Sequence, residues 1–108
     1  MVKTKPSRIA MWIKQNIRGE IEAYIVERKA EYIQQAIDKT VQLMMEVDEA
    51  SNYSIKWSSW VEVADEIAFE LCSVMDVDNP MECADTIGQY ILFQFTGLTE
   101  KEMKRAPR

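Results

Sequence analysis

Apolar residues recur three and four positions apart along almost the whole chain, the spacing of one face of a helix. A first helix is predicted from about Ser7 to Arg18, with Ile9, Trp12, Ile13 and Ile17 on one stripe; Gly19 ends or bends it. A second runs from about Glu20 to Ser51. Its stripe is Ile21, Tyr24, Ile25, Tyr32, Ile33, Ala36, Ile37, Val41, Met44 and Met45, and its length invites a break near Arg28 to Ala30. A polar and aromatic connection covers Asn52 to Ser58. The third helix opens at Ser59, where Ser59 and Glu62 have the spacing of a capping box, and continues through Val63, Ile67, Leu71, Val74 and Met75. Asp76 to Asn79 is a turn. Asn79 caps a fourth helix, Pro80 takes its first position, and it runs to about Phe95, before Gly97. Thr99 and Glu102 repeat the capping-box spacing ahead of a loose basic tail.

The predicted fold is therefore all-α: an antiparallel four-helix bundle in one domain spanning residues 1–108. Only 3 Gly and 3 Pro argue against a turn-rich β architecture. A bundle this small extends its core by pairing, so a homodimer or homotetramer is expected. No run of apolar residues is long enough to span a membrane. Met1 to Pro6 is polar and basic, so no secretory leader is expected and the setting is cytoplasmic. Cys72 and Cys83 lack metal-ligand spacing and read as small core residues in a reducing compartment.

Charge sharpens the picture. The formal net charge is −5, but eleven acids and one base, Lys56, fall between Thr40 and Leu98. Such a stretch repels a nucleic-acid backbone and attracts cations, so no nucleic-acid partner is expected. The basic residues collect at the two ends, including Lys101, Lys104 and Arg105. With no histidine in the chain, His-ligated zinc and His-activated nucleophiles are excluded within one protomer.

Within the acidic stretch, Glu46 and Glu49 stand three apart, as do Glu62 and Asp65, with Ala50 to Val61 between the pairs. Acids at that spacing share one helix face. A short connection predicts that the second and third helices are antiparallel neighbours, which brings both pairs to one end of the bundle. Four clustered carboxylates need a cation, and Mg²⁺ suits an all-oxygen site, with Mn²⁺ as an alternative. Glu82 and Asp85 form a third pair of the same spacing, read instead as structural charge at a helix start. Tyr53, Trp57 and Trp60 lie beside the expected site. They either plug the bundle end or offer a stacking surface, Trp57 best of all, with Asn52 to read a base edge.

The order of these acids resembles the all-α nucleoside triphosphate pyrophosphohydrolases, the MazG-like proteins and dimeric dUTPases among them. The run from Leu43 through Glu46 and Glu49 to Ala50 is similar to that family's L-x-x-E-x-x-E-L/A text. Glu62 to Ile67 is similar to its E-x-A-D-x-L text, and Ala50 to Asn52 with Ile55 to Ser58 faintly resembles dimeric dUTPases. The resemblance covers about Gln42 to Ile91. It implies Mg²⁺ held by Glu46, Glu49, Glu62 and Asp65. It also implies hydrolysis of a nucleoside triphosphate between the α and β phosphates, to monophosphate and pyrophosphate. Glu49 is the candidate base for the attacking water. The family's closing helix often carries cations for the phosphates, but Met81 to Phe95 has no Lys or Arg. Lys39, Lys56 or the basic tail would have to serve. The same acidic stretch supports a second expectation: a non-catalytic acidic helical regulator, a degenerate relative of the enzymes included, that binds a partner's basic surface.

Overall fold

The computed structural model describes residues 5–97, and the Thr99/Glu102 pattern and the basic tail lie outside them. The described residues are helical throughout, with no strand. The five helices are α1 (Pro6–Asn16), α2 (Arg18–Glu27), α3 (Ala30–Ala50), α4 (Trp57–Met75) and α5 (Pro80–Thr96).

The helix boundaries follow local chemistry, with two departures from expectation, at Ile17 and at Trp57. The first bend falls at Ile17, not Gly19. Ile17 is fully buried, so packing of its side chain outweighs the backbone freedom of Gly19, which sits inside α2 with open space around it. The long second helix is divided at Arg28 and Lys29. Arg28 adopts the left-handed conformation (φ 57°) and its guanidinium donates to the Val74 carbonyl at 3.3 Å, tying the break to the end of α4. α4 opens at Trp57, two residues before the expected Ser59. Lys56 stands at the cap without a side-chain hydrogen bond, so the capping box of Ser59 and Glu62 does not form there. The last helix matches its expectation. The Asn79 side chain accepts from the Glu82 N–H at 3.2 Å, Pro80 takes the first position, and Gly97 closes it at φ 63°, a conformation glycine adopts without strain.

The helices close into a ring. α4 packs against α5 on one side and α1 on the other; α5 packs against α3, α3 against α2, and α2 touches α1 and α4 lightly. Trp60, fully buried on α4, anchors the ring with its indole 5.0 Å from the Phe95 ring on α5. One continuous core runs from Ile9, Ile13 and Ile17 through Met44, Ile67 and Leu71 to Ile91. Thr40 is buried within it because its hydroxyl donates to the Ala36 carbonyl at 2.8 Å. Trp12, Ile25 and Met45, placed on the core stripes by their spacing, are 41%, 50% and 54% exposed instead. No helix among the described residues is long and apolar enough to cross a membrane.

This ring decides the fate of the acid pairs. The main contacts of α3 are with α2 and α5, and those of α4 are with α5 and α1. The connection from Ser51 to Lys56 is short in sequence, but six residues reach as far as about 20 Å when extended. Ile55 in its middle is buried and pins it to the core.

Candidate functional site

α3 and α5 frame an open groove of about 630 Å³. Its wall carries Asp38, Glu46, Asp48 and Glu49 from α3, Tyr53 from the connection, and Phe95 and Thr96 from α5. Glu46 and Glu49 thus share one face, as their spacing predicts, and both are exposed. Asp48, between them in sequence, is 4% exposed. It continues the buried stripe of Ile37, Thr40 and Met44 at helical spacing, a signal that was present in the sequence. The chain then turns sharply. The Tyr53 N–H donates to the Asp48 carbonyl at 2.8 Å, and Asn52 and Tyr53 are both left-handed at φ 59°. That pair of unfavourable conformations points the half-exposed Tyr53 ring along the groove wall.

The second acid pair is elsewhere. Asp65 on α4 leans over Gly88 of α5, its Oδ1 3.1 Å from where a side-chain carbon would stand. It lines a separate groove between α4 and α5, with Glu66, Phe69, Met81, Ala84 and Asp85. Glu62 is exposed and lines neither groove. Gly88 and Phe95 mark the levels of the two grooves on α5, seven residues or about 10 Å apart at 1.5 Å per residue. Oxygens sharing one Mg²⁺ each lie about 2 Å from it. Among the described residues, no three acidic or cysteine side chains are grouped so that they could hold a metal ion. Of the four expected ligands, Glu46 and Glu49 line the α3–α5 groove, Asp65 lines the α4–α5 groove and Glu62 lines neither.

The residues expected to hold substrate are dispersed as well. Lys39 reaches Glu20 on α2 at 3.5 Å and does not line the α3–α5 groove. Lys56 is exposed at the start of α4, and Asn52 is exposed in the turn. Trp57 is half-buried and stacks on Phe95, with centroids 6.4 Å apart and planes within 19°. Of the three clustered aromatics, Tyr53 is the one on the groove wall.

The α4–α5 groove was not legible as a site. Phe69 and Met81 are 52% and 76% exposed on helices whose other faces are buried, and an acidic rim surrounds them. Asp85 accepts from Gln89 at 3.4 Å, one turn along α5. Toward the turn that joins these helices, Cys72 and Cys83 meet, with sulfurs 2.6 Å apart. Cys72 is fully buried, and burial, then the hydrogen bond and charge of Cys83, push its thiol up to about 12. No family model, curated protein or solved structure matches this chain.

Proposed function

We propose that this chain is a non-catalytic helical interaction protein whose acidic surface receives a basic amphipathic helix from a partner. The α4–α5 groove carries the reading. Phe69 and Met81 offer apolar surface in a trough whose rim holds Asp65, Glu66 and Asp85 and no base. Burial of the apolar pair supplies affinity; the carboxylates supply orientation and a fast, salt-sensitive approach. Titration of isotope-labelled protein with a designed Leu/Lys amphipathic helix is expected to shift the signals of Phe69, Met81 and Ala84, with affinity falling as salt rises. Phe69→Ser, which keeps every charge, is expected to weaken binding about tenfold. Shifts spread over the whole acidic surface and indifferent to Phe69→Ser would reject the groove as the site.

A second reading, the Mg²⁺-dependent nucleoside triphosphate pyrophosphohydrolase, is favoured by the α3–α5 groove alone. There Glu46 and Glu49 stand with Asp38 and Tyr53 beside a volume of about 630 Å³. This reading looks to a homodimer or homotetramer to complete the acid set, since the same chain's Asp65 lines the other groove and Glu62 lines neither. Release of pyrophosphate from a nucleoside triphosphate in Mg²⁺ or Mn²⁺, lost in Glu49→Gln, would establish it. No release, with no divalent-dependent rise in melting temperature, leaves the interaction reading. Free Cys72 and Cys83 suit a reducing compartment such as the cytoplasm under either reading.

A further inference from the structure

Cys72 and Cys83 come from different helices, eleven positions apart in sequence, and meet because α4 and α5 fold back on each other. The turn between them is closely held. The Asp76 N–H donates to the Cys72 carbonyl at 3.1 Å, and the Cys83 N–H donates to the Asn79 carbonyl at 3.0 Å. Both thiols are free, one sealed in the core and the other half-buried. With sulfurs already in contact, a covalent bond needs a shift of only about half an ångström and no refolding of either helix.

We propose that Cys72 and Cys83 form a reversible disulfide that staples the α4–α5 hairpin in response to a low-molecular-weight disulfide such as oxidised glutathione. Cys83 reacts first, because solvent reaches it. Its thiolate attacks one sulfur of the oxidant, forming a mixed disulfide and releasing one glutathione thiolate. Cys72 then attacks the Cys83 sulfur and expels the second glutathione as a thiolate, which takes up the proton that Cys72 loses. The protein gives up two electrons and two protons, and one oxidised glutathione becomes two reduced ones. Masking Cys83 in the mixed disulfide removes its charge, one of the causes that hold Cys72 protonated. The staple lies next to the proposed docking groove, since Phe69 is three residues before Cys72 and Ala84 immediately follows Cys83. The disulfide itself does not depend on the docking reading.

The test is incubation of the full chain with oxidised glutathione, followed by iodoacetamide under denaturing conditions and measurement of intact mass. The expected product is a monomer that has lost two hydrogens, carries neither glutathione nor alkyl groups, and yields a peptide joining Cys72 to Cys83. Its melting temperature should rise by roughly 10 °C and return with dithiothreitol, because the bond closes a loop across the turn. Glutathione retained on Cys83, with Cys72 alkylated after unfolding, would overturn the proposal. So would disulfide-linked dimers, or a bond that leaves the melting temperature unchanged. Cys83→Ser, at a half-buried position, is the control: the oxidant should leave its melting temperature where it was.

Discussion

α5 forms two grooves, one with each neighbour, and they differ in kind. Against α3 it faces a wall rich in carboxylates, with Tyr53 at the lip. Against α4 it faces a trough with Phe69 and Met81 inside and acids only at the rim. Under the two proposed readings, the first would serve as half of a cation site and the second as a seat for an amphipathic helix. The contrast teaches that acids at matching spacings on consecutive helices need not share a site. Which groove an acid lines depends on how the helices pack.

The comparison breaks most severely at Trp60. This residue holds α5 against α4 through Phe95 and is fully buried. Trp60→Ala is expected to cost about 3–5 kcal/mol in denaturant unfolding, a large part of a small domain's stability, and to erase both grooves together. A loss under about 1 kcal/mol would show that α5 is held by other contacts.

The α4–α5 side is next, through its thiols. The folded Cys72 thiol lies at about 12 against an ordinary value of 9.0. As pH rises past 9, the unfolded thiol gives up its proton while the folded one keeps it, so unfolding becomes more favourable. The stability from this source is complete below pH 9 and disappears between about 9 and 12. Lysines and tyrosines titrate in the same window, so the reduced protein is best compared with its own oxidised form. The reduced form should lose stability more steeply with alkali, by denaturant midpoint at each pH. Parallel curves would count against a Cys72 thiol held protonated by the fold.

The two grooves can then be separated by paired variants. Phe69→Ser should weaken a Leu/Lys helix about tenfold while Glu49→Gln leaves it unchanged, by fluorescence titration. Equal losses in both would mean that bulk charge alone is read. The smallest expected effect is at Gly19, where a methyl group meets open space inside α2. Gly19→Ala should add roughly 0.5–1 kcal/mol, visible in thermal melts, with both grooves unaltered.

Much of the local structure was legible. Three-four spacing marked every helix, Asn79 and Pro80 marked the start of α5, and Gly97 marked its end. The break at Arg28 and Lys29 was foreseen within a residue or two, because so long a helix needs tertiary support along its whole length. Trp57 outran the Ser59 signal: its contact with Phe95 extends α4 by two residues beyond what a serine cap suggests. The Cys72–Cys83 meeting was not legible, because eleven positions across a turn carry no period that names a partner.

The pattern of the chain by itself determined that this protein is helical, where its apolar stripes run, and that Glu46 and Glu49 share a surface. Helical periodicity is local, set by 3.6 residues per turn and by caps within a few residues. Only the tertiary structure decided that α5 packs against both α3 and α4, that Asp65 lines a different groove from Glu46 and Glu49, and that two cysteines touch. Those outcomes depend on which apolar stripes bury best against one another, and that is a property of the whole core rather than of any one segment.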